Sequence, residues 1–208
     1  MQYHRVIFTL VLAAVTTMNA GASFAQASPP AAESTQSVAR LQNFGTLVSF
    51  LNLASGAVRM VVVLQPSAAE CDAALEAVQS VLESTASKRL RVFVIWTPLT
   101  TQDNEMRALS LANAIHDRRL VHFWDPGAFV ADSFRGVVGS AGTPATGVLL
   151  LYDTDAHLAL EPPAPSLWMS VNPDIKGAAL DRKLLTGETN TMVRRVEEKV
   201  TDGGASKK

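Results

Sequence analysis

The residues most able to do chemistry lie in one stretch, "LQPSAAECDAALEAV" at 64–78. It contains Cys71, the only cysteine of the 208-residue chain. A cysteine thiolate can attack disulfides or peroxides and can bind metals. A cysteine among apolar neighbours behaves instead as a small buried hydrophobe. Cys71 therefore has three interpretations: a core residue, a reactive thiol or a metal ligand.

The spacing around Cys71 predicts which way it points. Ser67 and Glu70 have the S-x-x-E spacing of a capping box, which predicts a helix whose first residue is Ala68. Cys71 then begins an apolar stripe on one helix face, continued by Leu75, Val78 and Leu82. This stripe favours a Cys71 that faces the core.

Histidines and carboxylates give weaker indications of a site. His116, His122 and His157 show no ligand spacing among themselves or to Cys71, so we expect no metal site and no cofactor. Asp125, in "FWDPG", could act as an acid or base, but a role in the turn and as a cap for the next helix is favoured.

Trp168 is a candidate binding residue for a different reason. It lies in the Pro-rich segment "EPPAPSLWMS" at 161–170, and an aromatic side chain on an irregular segment can anchor a partner. Packing of this segment onto the domain is the favoured alternative.

Composition excludes some classes of function. The formal net charge is −1, and 18% of the residues are charged. No basic stretch is interleaved with aromatic residues, so we expect no nucleic-acid binding.

The N-terminus is typical of an export signal. Arg5 is followed by an apolar run at 6–15 and by Ala25-Gln26-Ala27, a small-x-small cleavage pattern. The run is shorter than the about 20 residues that a membrane span needs, although an uncleaved anchor is the alternative. We expect a signal peptide at 1–27 and a mature protein that is periplasmic or secreted, with no membrane segment.

Strand-like and helix-like segments alternate after a flexible linker predicted at 28–36. The domain is predicted at 37–201 and a disordered tail at 202–208. The apolar patterns predict helices over 41–51, 68–84, 104–115 and 128–138, strands over 58–64, 90–96, 120–124, 147–152 and 157–160, and a last helix with a face at Met192, Val193, Val196 and Val200. Such alternation predicts an α/β domain with a mainly parallel sheet, ending in an antiparallel hairpin, and helices on both faces.

This order of elements resembles the thioredoxin fold, and three motifs add to the resemblance. "QPSAAEC" follows the first long buried strand and opens a helix, the position of the C-x-x-C motif. "HFWDPGAFVADSFRGVV" at 122–138 resembles the strand-helix insert of redoxin-type thioredoxins, which are akin to the periplasmic cytochrome-maturation reductases. "GTPATGVLLLYD" at 142–153 resembles the Thr-Pro segment whose proline is cis and faces the active site. The resemblance implies a three-layer thioredoxin-like fold.

The resemblance implies unequal roles for the matching residues. Cys71 corresponds to the second, resolving cysteine of a dithiol site, whereas Ala68 stands at the position of the attacking cysteine. Pro144, preceded by Thr143, corresponds to the cis-proline. A dithiol exchange needs both sulfurs, so the motif is degenerate and the attacking group is missing.

The favoured interpretation is a non-catalytic binding or accessory module. Its groove, around Ser67, Ala68, Thr143 and Pro144, would bind an extended segment of a protein partner, and Trp168 is a further candidate binding residue.

The alternative is an enzyme that uses Cys71 alone, as a thiol-disulfide oxidoreductase or a thiol peroxidase. Peroxidases that resemble this fold use P-x-x-x-T-x-x-C. The chain has Leu64 and Ala68 where that proline and threonine belong, so peroxidase is the weaker form of this alternative.

Overall fold

The strands form where β-branched and apolar runs occur, and helices fill the segments between them. The computed structural model describes residues 37–140 and 142–205, so the predicted signal peptide and linker lie outside the described residues. The elements are β1 (Val38–Arg40), α1 (Phe44–Leu53), β2 (Val58–Leu64), α2 (Cys71–Ser84), β3 (Leu90–Trp96), α3 (Glu105–Ala112), β4 (Leu120–Trp124), α4 (Phe129–Ser133), α5 (Arg135–Val138), β5 (Val148–Tyr152), β6 (Leu167–Ser170) and α6 (Arg182–Ala205).

The six strands form one sheet in the order β1-β4-β3-β2-β5-β6. The first four strands in this order are parallel, whereas β5 pairs antiparallel with β2, and β6 pairs antiparallel with β5. Every residue of β2 is buried, as expected for a continuous apolar strand covered on both faces. The prediction of a mainly parallel sheet that ends in an antiparallel hairpin is confirmed.

Alternate strand residues enter two separate apolar cores. On one side, called here the α2 face, Val62 and Leu64 pack with residues of α2 and α6. On the other side, the α1 face, Val61 and Val63 pack with residues of α1, α4 and α5. Helices on both faces of the sheet give the three-layer, thioredoxin-like fold that the sequence predicted. Among the described residues, no helix has both the length and the apolar character needed to cross a membrane.

The partner strand of the hairpin is not the predicted one. Residues 157–160 form no strand, because Asn52 of α1 holds them: its Nδ2 donates to the Leu158 carbonyl and its Oδ1 accepts the Leu158 N–H. The strand that pairs with β5 is β6, which follows the Pro-rich stretch. Prolines do not disrupt β6, because they precede the strand at the edge of the sheet.

The predicted helix over 128–138 is two short helices, α4 and α5. Ala128, before α4, has a left-handed backbone with φ 54°. The two carboxylate oxygens of Asp125 accept the N–H groups of Phe129 (3.0 Å) and Val130 (2.8 Å). Asp125 therefore shapes the turn and caps the helix, as predicted.

The ends of the chain also differ from the prediction. β1 is a strand of three residues paired with β4, too short to give a periodic signal. α6 begins at Arg182, well before Met192, and Asp181 caps it by accepting the Leu184 N–H at 3.0 Å. The helix runs to Ala205, into the segment for which a disordered tail was predicted, and residues 206–208 lie outside the described residues.

Candidate functional site

The turn between β2 and α2 is built differently from the predicted capping box. α2 begins at Cys71, and its cap, Glu70, makes no side-chain capping hydrogen bond. Ala68 lies in a turn, where its carbonyl accepts the Cys71 N–H at 3.2 Å. The Ser67 hydroxyl accepts from Gln65 Nε2 at 3.0 Å instead of capping the helix. The prediction that Ala68 is the first helical residue is therefore wrong.

Asp103, in the loop after β3, holds this turn in place. Its Oδ1 accepts the Ser67 N–H at 2.8 Å. Its Oδ2 accepts the N–H groups of Leu99 (3.0 Å) and Thr100 (2.8 Å), and also Gln65 Nε2 at 3.0 Å. Burial would raise the pKa of this carboxyl, but the hydrogen bonds from Ser67, Thr100 and Leu99 outweigh burial and lower it to about 2. Asp103 is therefore ionised at neutral pH.

Arg107 of α3 supplies a second tie to the same turn, since its Nε donates to the Pro66 carbonyl at 2.8 Å. Sequence reasoning missed both residues. The signal for Asp103 was present: an aspartate in the loop after β3 lies near the loop after β2, because parallel neighbouring strands end at the same edge of a sheet.

Cys71 is buried as the stripe predicted, with 3% of its surface exposed. Leu75, Val78 and Leu82 lie in the same core. Burial, and to a lesser extent the charge of Asp72, raise the pKa of the Cys71 thiol to about 12, and Arg107 partly opposes the shift. The group is therefore a neutral thiol at physiological pH, whereas a reactive cysteine needs its thiolate.

A pocket of about 240 Å³ opens beside Cys71. Three chain segments form its wall: the end of β2 with the turn into α2, the residues just before β5, and the loop after β6. The lining residues are Leu64, Gln65, Ala68, Glu70, Cys71, Thr146, Gly147, Val171, Asn172, Pro173 and Asp174. Of the predicted binding residues, Ala68 lines this pocket. Ser67 does not, although its N–H anchors the turn that does.

The predicted Thr-Pro element lies beside the pocket wall and not on it. The peptide bond between Thr143 and Pro144 is trans, since the described residues contain no cis peptide bond. The cis-proline of the family that the chain resembles is therefore absent at Pro144. The Thr143 carbonyl accepts the Ser140 hydroxyl at 2.9 Å, and Ala145 donates to the Ala131 carbonyl at 3.1 Å. These bonds direct the segment toward α4, and the pocket is lined by the two residues that follow, Thr146 and Gly147.

The backbone N–H and carbonyl groups of Thr146 and Gly147 all form hydrogen bonds within the chain. The Thr146 N–H donates to the Pro144 carbonyl at 2.9 Å, and its carbonyl accepts Asn172 Nδ2 at 3.1 Å. The Gly147 N–H donates to the Val63 carbonyl at 2.7 Å, and its carbonyl accepts the Val171 N–H at 2.8 Å. An extended segment cannot pair with this stretch as a regular added strand, because both N–H donors are already used and both carbonyls already accept a hydrogen bond within the chain.

Trp168 lies away from the pocket. It is in β6, pairs with Leu150 and packs against the core of the α1 face, whereas Cys71 belongs to the α2 face. Its ring also covers Gly177, where an added Cβ would approach within 2.0 Å of the indole. Trp168 therefore packs onto the domain, which is the alternative that the sequence analysis favoured over a binding role.

The described residues contain no group of three histidine, cysteine or acidic side chains placed to hold a metal ion. His122 is buried and accepts a hydrogen bond from Trp96 Nε1 on its Nδ1 at 3.2 Å. Burial lowers its pKa to about 4, so the imidazole is neutral at physiological pH. The His122 side chain is buried within the sheet and does not line the pocket.

No family model matches the sequence, and no curated protein matches it. Solved structures similar to the chain include a thioredoxin of Neisseria meningitidis, with 14% identity, a TM-score of 0.42, and coverage of 69% of this chain and 79% of that one. A thiol:disulfide interchange protein of the thioredoxin family from Chlorobium tepidum has 11% identity, a TM-score of 0.41, and coverage of 68% and 83%.

A secreted disulfide oxidoreductase of Mycobacterium tuberculosis, described as homologous to DsbE of Escherichia coli, is similar at the same level. It shows 14% identity and a TM-score of 0.38, with coverage of 65% of this chain and 82% of that one.

Proposed function

We propose that this protein is a non-catalytic, thioredoxin-like binding module that holds a segment of a protein partner in the pocket beside Cys71. One observation carries the proposal: the chain's only thiol is 97% buried and has a pKa of about 12. The position of an attacking cysteine is occupied by Ala68, which lines the pocket with a methyl group.

Thiol-disulfide exchange begins with an exposed thiolate that attacks a sulfur of the substrate disulfide. The second thiol then displaces the substrate and leaves a disulfide in the protein. Cys71 could serve only the second step, and no side chain in the turn can serve the first. This supports binding over the alternative of a single-cysteine oxidoreductase or peroxidase.

The construction of the pocket supports binding for a separate reason. Asp103 and Arg107 fix the turn into α2 from a neighbouring loop and helix, and Asn172 fixes the opposite wall. A preformed pocket loses less conformational freedom on binding than a flexible one.

We further propose that the protein works outside the cytoplasm, in the periplasm or as a secreted protein. The leader pattern at residues 1–27 supports this. A chain with one cysteine forms no internal disulfide, so its stability in an oxidising compartment depends on the two cores.

The chemical part of the proposal is tested by thiol labelling of the native protein at neutral pH. We expect Cys71 to react with a maleimide orders of magnitude more slowly than the same thiol in denaturant. Labelling as fast as that of a free thiol would contradict the proposal and support the single-cysteine enzyme.

The binding part is tested by two matched substitutions in the turn. Ala68→Trp fills the pocket, whereas Ala69→Trp places the same side chain on an exposed neighbour that does not line it. Partners captured from the cell envelope by the wild-type chain should be kept by Ala69→Trp and lost by Ala68→Trp, with both variants folded by circular dichroism. Equal capture by both variants, or no capture by the wild type, would count against the proposal.

A further inference from the structure

The pocket beside Cys71 has two carboxylates that lack a cation. Glu70 and Asp174 both line it, and neither side chain forms an ion pair or hydrogen bond with any described residue. The lining residues include no lysine, arginine or histidine. No lining side chain therefore neutralises these two carboxylates, although Glu70, as the N-cap of α2, also lies at the positive end of that helix.

Two buried polar side chains also face the pocket. Thr146 is 4% exposed and Cys71 is 3% exposed, and both line the pocket. Neither side chain forms a hydrogen bond within the described part of the chain. Because the Thr146 hydroxyl is open to solvent through the pocket, its oxygen can accept a hydrogen bond from an occupant that donates one, and the thiol sulfur is a weak acceptor.

Arg107 is a nearby cation, but it does not neutralise the two carboxylates of the pocket. It acts on the Cys71 thiol electrostatically, but its Nε is committed to the Pro66 carbonyl at 2.8 Å. It is also not among the residues that line the pocket.

From these contacts we infer that the occupant of the pocket is a basic side chain, a lysine or arginine of the partner segment. The inference rests on the proposed binding function of the same pocket. The charged end of the side chain lies against Glu70 and Asp174 and donates to the Thr146 hydroxyl. Its methylene groups pack on Leu64 and Val171, as lysine and arginine stems do on apolar surface.

The test is an NMR titration of the ¹⁵N-labelled whole chain with two blocked amino acids of similar shape. N-acetyl-lysine methylamide carries the cation, and N-acetyl-norleucine methylamide replaces it with a methyl group. We expect the lysine compound to shift the amides of Glu70, Gly147 and Asn172 and to bind about fivefold more tightly, as two partly exposed ion pairs allow. Equal affinities, or shifts confined to other residues, would overturn the inference.

Charge-removing variants separate this inference from the binding function itself. The double substitution Glu70→Gln with Asp174→Asn should abolish the preference for lysine and weaken partner capture. Glu188→Gln, which removes an exposed carboxylate of α6 that does not line the pocket, is the charge-removing control and should change neither. If the double variant captures partners as well as the wild type does, the basic side chain is the wrong occupant while the binding function stands. If the wild type captures nothing, the binding function itself fails.

Discussion

The carboxylate of Asp103 holds the backbone N–H of Ser67 at 2.8 Å, which ties the loop after β3 to the turn that precedes α2. The two residues are far apart in sequence and belong to loops at the same edge of the sheet. This contact, rather than a local helix cap, fixes the turn that carries Ala68. This side of the pocket therefore depends in part on an ionised carboxylate, with Arg107 as a second tie.

Asp103→Asn should destabilise the protein by about 2 kcal/mol at pH 7, because hydrogen bonds to a charged acceptor contribute about 1.5–3 kcal/mol. The folded-state pKa is lowered to about 2 from an ordinary 3.8. The stabilisation is therefore complete above pH 3.8 and is lost as the pH falls toward 2. Urea unfolding of both proteins at pH 7 and near pH 2.5 measures the difference, which should narrow at low pH. A difference that is the same at both pH values would contradict this account.

Cys71 should make the protein less stable in alkali. Its folded-state pKa is raised from 9.0 to about 12, so above pH 9 the unfolded chain ionises while the folded chain does not. Stability is complete below pH 9 and falls as the pH rises toward 12, by about 1 kcal/mol at pH 10. Cys71→Ala removes this group, and other alkaline titrations are common to both proteins. The free energy of unfolding of the wild type, relative to that of Cys71→Ala, should therefore be lower at pH 10 than at pH 7. An unchanged gap would mean that the thiol ionises normally in the folded state.

Gly147→Ala should destabilise the protein by about 2 kcal/mol, the cost of a strained backbone position. Gly147 has φ 74°, and an added Cβ would lie 2.8 Å from the Asn172 Cβ. Gly136→Ala is the matched control, since Gly136 is in α5 and its Cβ would meet nothing within 4 Å. Thermal unfolding should show a lowered melting temperature for Gly147→Ala and an unchanged or raised one for Gly136→Ala. Equal effects of the two substitutions would contradict the proposed strain.

Ala68→Cys should allow a disulfide to form with Cys71 at this turn. The Cys71 N–H donates to the Ala68 carbonyl, and such a turn keeps the two Cα atoms within about 7 Å, a separation that disulfides span. After mild oxidation, counting free thiols in denaturant should find none in Ala68→Cys. Ala69→Cys, one residue along, should keep both thiols. Two free thiols in Ala68→Cys would show that the turn holds the side chains apart.

The sequence predicted the fold well because its signals are local and strong. β2 and β3 are apolar runs interrupted only by Arg59 and Arg91, and their bounds match the prediction. The burial of Cys71 followed from the helical spacing of its stripe. The prediction failed for the strand at 157–160, where a side chain distant in sequence, Asn52, satisfies the backbone of Leu158 instead of a strand partner.

The candidate site was predicted less completely, because its walls come from loops that meet only in three dimensions. Ala68 and Cys71 were found through their position before and within α2. Asp103 and Asn172 were not found, because they act through hydrogen bonds to segments remote in sequence. The cis-proline was expected from the resemblance alone, and the trans bond at Pro144 shows that a sequence motif does not determine backbone geometry.

The engaged backbone of Thr146 and Gly147 has a consequence for the range of partners. A site that pairs with the main chain of its ligand accepts many sequences, because every residue offers the same amide groups. Here those pairing groups are taken up by Pro144, Val63, Val171 and Asn172. Under the proposed binding function, we therefore expect side chains rather than this stretch of main chain to determine which segments enter the pocket, which favours a few specific partners over a broad set of clients.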